Sequence, residues 1–131
     1  MKRDLMIPKV TFRVRTGDEV ETDGGCAIGG QWLNKTTEDF FKGKRVVLFS
    51  LPGAFTPTCS SLQLPGFEEN YEKIKGLGVD EIYCVSVNDS FVMNAWANHM
   101  KIKKVKMIPD GAGYCSRFRG MLRGKNHDGL G

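Results

Sequence analysis

Three short apolar runs set what this chain can fold into. They are Val46-Val47-Leu48-Phe49, Ile82-Tyr83-Cys84-Val85-Ser86-Val87, and Val105 to Ile108. Each has strand length, and the first two read as strands buried on both faces. Helical segments separate them. Thr56-Pro57 places a hydroxyl at the N-cap and proline at N1, which predicts a helix over Pro57 to Lys75. Pro65-Gly66 must kink or interrupt it, and Gly76 and Gly78 end it. Asn88-Asp89-Ser90 caps a second helix that runs to about Met100. Strand, helix, strand, helix, strand implies an α/β class with a mainly parallel sheet flanked by helices. A chain of 131 residues supports one domain, covering 1–131.

The flanking segments are less regular. Val10 to Val14 alternates apolar and polar, as a half-buried strand does. Asp23 to Gly30 reads as a glycine-rich connection. Thr36-Thr37-Glu38-Asp39 before Phe40-Phe41 resembles a helix start, and Gly43 can end that helix. Pro109-Asp110-Gly111 is a turn. Gly113 to Leu122 suits one more short helix, followed by a polar tail, Arg123 to Gly131.

Composition excludes several classes. No apolar run approaches the ~20 residues of a membrane helix, so no membrane span is expected. Net charge is +4, and the basic stretch Lys101 to Lys106 is interrupted by Ile102 and Val105. With no aromatic platform beside it, that stretch reads as a solvated face, and no nucleic-acid partner is expected. No GxGxxG or phosphate loop follows a strand. His99 and His127 stand alone, so neither a metal site nor a Ser-His-Asp triad is expected. Met1 to Val10 lacks the apolar core of a secretory signal.

Cysteine carries the chemistry. Cys26, Cys59, Cys84 and Cys115 include no CxxC pair. Free thiols in a chain without a signal suit a reducing compartment, and a cytoplasmic location is expected. Thiolate, not thiol, is the nucleophile. Cys59 falls at N3 of the helix that Thr56 caps, where unpaired backbone N–H groups and partial positive charge favour S⁻. It also follows the C-terminal end of a strand, the edge where open α/β sheets bind ligands. The Thr56 hydroxyl is close enough in sequence to reach the sulfur or a bound oxygen. Pro52 and Pro57 stiffen the loop. The competing reading is a small buried hydrophobe, which is what mid-strand Cys84 should be.

Pro52-Gly53-Ala54-Phe55-Thr56-Pro57-Thr58-Cys59 resembles the PxxxTxxC loop of peroxiredoxins. Gly43 to Phe49, Leu64-Pro65-Gly66-Phe67, and Val85 to Asp89 with Phe91-Val92-Met93 and Ala95-Trp96 resemble the type-5 branch, including bacterial members fused to a glutaredoxin. The likeness covers about Ile7 to Gly120. It implies a thioredoxin-like fold and a thiol peroxidase without a prosthetic cofactor or metal. Cys59 then matches the peroxidatic cysteine, Thr56 the residue that orients sulfur and peroxide, and Pro52 the proline over the site. The implied substrates are hydrogen peroxide and alkyl hydroperoxides. The implied reductant is an external thiol: glutathione, or a glutaredoxin or thioredoxin. A homodimer is implied as well.

The likeness also marks departures. Relatives continue into an antiparallel hairpin and a helix, and an Arg near the hairpin helps activate the thiolate. That hairpin is expected to be missing here, as in a truncated chain or fragment, with marginal stability as its consequence. Arg117, Arg119 and Arg123 are not matched to the Arg, and Cys115 is not matched to a resolving cysteine. The alternative function is a catalytically weak redox-sensing or binding fragment. A thioredoxin-type oxidoreductase would need the CxxC that Thr56-Pro57-Thr58-Cys59 lacks.

Overall fold

Alternation along one strand builds two cores. The computed structural model describes residues 7, 9–21, 27–113 and 115. In β4 (Glu81–Ser86), Ile82 and Cys84 turn to one face, where Phe49, Leu64, Met93, Trp96 and Val105 pack on them. Tyr83 and Val85 turn to the other, against Val10, Phe12, Val14, Phe40 and Ile108. This period of two, apolar on both sides, marks a strand inside a sheet.

β4 is the middle strand of three. β3 (Val46–Ser50) and β5 (Lys106–Pro109) pair with it in parallel, in the order β3-β4-β5. The register sets Phe49 beside Cys84 and Cys84 beside Met107. The parallel α/β class is thus as the apolar runs imply. One expectation needs correction. Val46, Val47 and Leu48 are half-buried, because among the described residues β3 lies at the sheet's edge rather than inside it.

A second sheet precedes the first. β1 (Thr11–Glu21) pairs antiparallel with β2 (Ala27–Thr36), with an irregularity between Thr16 and Glu19. The glycine-rich connection expected over Asp23 to Gly30 is therefore shorter, since residues 27–30 are strand. Hairpin pairing runs through backbone groups, so Gly29 can join it despite poor strand propensity, while Gly30, at φ +71°, falls at the irregularity.

α1 (Thr37–Phe41) starts as its sequence says. The Thr36 hydroxyl accepts from the Asp39 amide at 3.3 Å, and the Asp39 carboxylate accepts from the Thr36 amide at 2.7 Å. Those hydrogen bonds from Thr36 hold the Asp39 carboxyl below its ordinary pKa. Gly43, at φ +69°, turns the chain out of α1 into β3.

The helix expected over Pro57 to Lys75 comes in three pieces: a π-helical turn at Cys59–Gln63, α2 (Leu64–Glu69) and α3 (Tyr71–Lys75). Pro65 explains the first irregularity. It has no N–H to give to Ser61, and its ring crowds that carbonyl, so the turn ahead of it widens. Phe67 of α2 stacks on Phe49 with ring centroids 3.9 Å apart. The Glu68 carboxylate accepts from the amides of Lys103, Lys104 and Val105, clamping α2 to the approach to β5.

α4 (Ser90–His99) is capped by Asp89, whose side chain accepts from the Val92 amide at 2.9 Å. Its Met93 and Trp96 are fully buried. The helix expected over Gly113 to Leu122, the Arg123 to Gly131 tail, Cys26 and His127 lie outside the described residues, apart from Gly113 and Cys115. No helix among the described residues is long and apolar enough to cross a membrane.

Candidate active site

The loop between β3 and the first helical turn sits at the C-terminal edge of the parallel strands. Its start is tied to β4, where the Leu51 amide donates to the Val85 carbonyl at 3.4 Å. Further on, the Ala54 amide donates to Asn88 Oδ1 at 3.0 Å, and the Ser86 hydroxyl donates to the same oxygen at 2.7 Å. Phe55 follows at φ +62°, a left-handed conformation costly for an aromatic residue. Its ring is half-exposed and tilts against His99, with centroids 5.9 Å apart. The loop therefore holds a strained residue between two anchors.

Thr56 is the second anchor. Its carbonyl accepts from the Ser60 amide at 3.0 Å, the first bond of the helix. That makes Thr56 the N-cap by backbone, Pro57 N1 and Cys59 N3. The side chain does not cap. Its hydroxyl donates to the Gly53 carbonyl at 2.8 Å, closing the loop on itself. With its proton so placed, the Thr56 oxygen keeps its lone pairs for an incoming donor. No hydrogen bond joins it to the Cys59 sulfur among the described residues.

Cys59 opens the π turn, and its carbonyl accepts from the Leu64 amide, five residues on. Amides this early in a helix have no intrahelical acceptor, so Cys59 stands on the turn where the positive end of the helix dipole lies. Its side chain is 5% exposed and packs in the core with Phe49, Leu51, Leu64, Cys84 and Trp96. The next residue, Ser60, accepts a hydrogen bond from Trp96 Nε1 at 3.0 Å.

Pro52 is exposed, and Gly53 beside it is buried. Pro52 and Thr56 thus lie on one loop and Cys59 on the helix start that follows it, with Pro52 on the outside and Cys59 in the core. Cys84 is fully buried in mid-strand, and burial first, then the negative charge of Cys59, pushes its thiol up to about 12. It is the inert core cysteine its position implied. Cys115 is also buried, and its amide donates to Asp110 Oδ1 at 3.2 Å. Arg117, Arg119 and Arg123 lie outside the described residues. Among the described residues no cluster of His, Cys, Asp and Glu could hold a metal ion.

Sequence reading missed Asn88, Ser86 and Ser60. Asn88 reads from sequence as part of the α4 cap, yet the capping side chain is that of Asp89. The available signal was a polar residue just past the C-terminal end of a buried strand, the edge where such sheets build sites.

Comparison with known proteins places this arrangement. The redoxin family profile matches residues 18–127. A peroxiredoxin of Rhizobium etli is 52% identical over 135 residues, which is 100% of this chain and 72% of that protein. The chain belongs to the peroxiredoxin family. A hybrid peroxiredoxin of Haemophilus influenzae, hyPrx5, is 47% identical over 125 residues, 95% of this chain and 47% of that protein. This chain therefore spans about half of that longer relative. Among solved structures, the Plasmodium falciparum antioxidant protein, a 1-Cys peroxiredoxin, superposes with a TM-score of 0.84 at 35% identity. That match covers 98% of this chain and 73% of the other. The thioredoxin-like peroxiredoxin fold is thus the fold of this chain, and the type-5 likeness agrees with hyPrx5.

Proposed function

We propose that this peroxiredoxin is a thiol peroxidase in which Cys59 is the nucleophile. The Cys59 thiolate attacks one oxygen of hydrogen peroxide or an alkyl hydroperoxide. An S–O bond forms as the O–O bond breaks, and the leaving hydroxide or alkoxide takes a proton to give water or alcohol. Sulfur ends as a sulfenic acid, oxidised by two electrons. Thr56 offers its oxygen lone pairs to the peroxide O–H, and unpaired amides of the first helical turn stabilise the charge that builds on oxygen. Pro52 limits water at the loop. One observation carries the reading: Cys59 stands at N3, on a helix start that Thr56 both opens and braces.

Recycling uses two external thiols. The first displaces the hydroxyl of the sulfenic acid as water and forms a mixed disulfide with Cys59. The second attacks that disulfide and restores the Cys59 thiol. Glutathione or a glutaredoxin fills this part. The resemblance to glutaredoxin-fused members favours it, and so does the raised thiol of Cys84, which makes that neighbour in the core a poor partner for Cys59. Cys59 is buried enough that a small peroxide reaches it more readily than a protein thiol does in the same conformation. A homodimer, a cytoplasmic setting and the absence of a prosthetic cofactor belong to the same reading.

Stopped-flow measurement of the reduced protein with hydrogen peroxide, beside Cys59→Ser, tests it. A second-order rate at least about a hundredfold above that of a free thiol, lost in the variant, is expected. A rate equal to that of a free thiol would sink the peroxidase reading.

A further inference from the structure

We propose that Asn88 is a positioning residue for the Cys59 site. The inference rests on the peroxidase reading and deepens it. Asn88 lies beyond the end of β4, and its Oδ1 is hydrogen-bonded to the site loop. The Ala54 amide can only donate, so the atom 3.0 Å from it is the Asn88 oxygen. The same Oδ1 accepts from the Ser86 hydroxyl at 2.7 Å, and Ser86 is 2% exposed at the end of the central strand. A rigid strand thus aims one acceptor at the loop.

What that acceptor holds follows from the chain itself. Ala54 directly precedes Phe55, whose left-handed backbone at φ +62° relaxes unless both ends are fixed. Thr56 fixes the far end, through its hydroxyl on Gly53 and its carbonyl on Ser60. Asn88 fixes the near end. Gly53 lies beside both anchors: a Cβ there would stand at ordinary van der Waals distance from each, 3.9 Å from Asn88 Oδ1 and 3.6 Å from Thr56 Cγ2. Releasing the Ala54 amide frees Phe55 to relax, and the Thr56 oxygen and Cys59 lose their fixed relation. Misplacement on that scale is costly to catalysis even when the fold survives.

The test compares Asn88→Leu, Asn88→Asp and Ser86→Ala in the full chain. Leucine keeps the branched shape, with bulkier ends, and removes the acceptor, whereas aspartate keeps the acceptor. Alanine at 86 removes the hydroxyl that donates to Asn88 Oδ1 and stands 3.4 Å from the Leu51 carbonyl. Two readouts are followed: hydrogen exchange of the Ala54 amide and the second-order rate with hydrogen peroxide. Asn88→Leu is expected to speed Ala54 exchange and slow the peroxide reaction, each by about tenfold or more. Asn88→Asp is expected to keep Ala54 protected and to recover most of the rate. Ser86→Ala loosens Asn88 from the strand but leaves its acceptor in place, and should fall between wild type and Asn88→Leu in both.

If Asn88→Leu does not fold, Asn88→Asp still decides. An Asn88→Asp protein with a protected Ala54 amide but the slow rate expected of the leucine variant overturns the proposal. So does Asn88→Leu reacting at the wild-type rate. A wild-type protein no faster than a free thiol fails the peroxidase reading, and this role with it. A fast wild type matched by Asn88→Leu fails the positioning role alone.

Discussion

The indole Nε1 of Trp96 donates to the hydroxyl of Ser60 at 3.0 Å, joining α4 to the turn that carries Cys59. Trp96 is fully buried and Ser60 half-buried, so the bond is well shielded from water. It gives the π turn a lateral support that its own wide backbone hydrogen bonding supplies poorly. Trp96→Phe loses this bond and leaves a small cavity. A loss of about 2–3 kcal/mol in urea melts is expected. The peroxide rate should fall in the same variant, and a stability equal to wild type would show that the bond supports nothing.

Lys101 is the other non-glycine residue at positive φ, +56°, among the described residues. It follows Met100, the C-cap of α4. Its amide donates to Asn98 and that of Ile102 to Ala97, the paired bonds of a Schellman ending. Glycine is the residue that geometry favours. Lys101→Gly is expected to stabilise by about 1 kcal/mol, read as a higher melting temperature. A lower melting temperature would contradict the assignment.

Tyr71 gives a dependence on pH. Its phenol donates to Glu81 Oε1 at 2.8 Å. Burial, then that bond, then the charges of Glu81, Glu72 and Glu68 push its pKa up to about 12. Folding therefore favours the protonated phenol. The stability it contributes is complete below its ordinary value near 10 and is lost as pH rises toward about 12. Wild type should exceed Tyr71→Phe by about 1 kcal/mol at neutral pH, a margin that shrinks across that alkaline window. Paired denaturant melts would show it, and a constant margin would refute it.

Cys84 should stay unreactive in the folded protein. A thiol pushed up to about 12 is protonated at neutral pH, and protonated thiols react poorly with alkylating agents. Peptide mass analysis after brief labelling at pH 8 should show Cys84 unmodified, then labelled once urea is added. Early labelling of Cys84 would mean that the strand opens or that its thiol ionises.

The parts of the fold that local chemistry dictates were legible in the sequence. The three apolar runs became three parallel strands, and the Thr36 and Asp89 caps start α1 and α4. Parts decided by long-range contact were not. Ala27 to Gly29 pairs with β1 because the hairpin supplies backbone partners, and nothing in so short a run beside two glycines announces that. The edge position of β3 is a matter of sheet order, which an apolar run cannot encode. At the site, the places of Thr56 and Cys59 could be read from the Thr-Pro helix start. The direction of the Thr56 hydroxyl could not, since it depends on where the Gly53 carbonyl lies. Asn88 was hidden for a related reason: its acceptor role exists only once β4 is laid beside β3.

The central claim is that Cys59 takes oxygen from peroxide. Its most direct test adds one equivalent of hydrogen peroxide to the reduced protein with a cyclic 1,3-dione, which traps sulfenic acids, followed by peptide mass analysis. An adduct on Cys59, absent from Cys84 and Cys115, is the expected result. An adduct on either of those residues, or none at all under conditions that consume peroxide, would contradict the account.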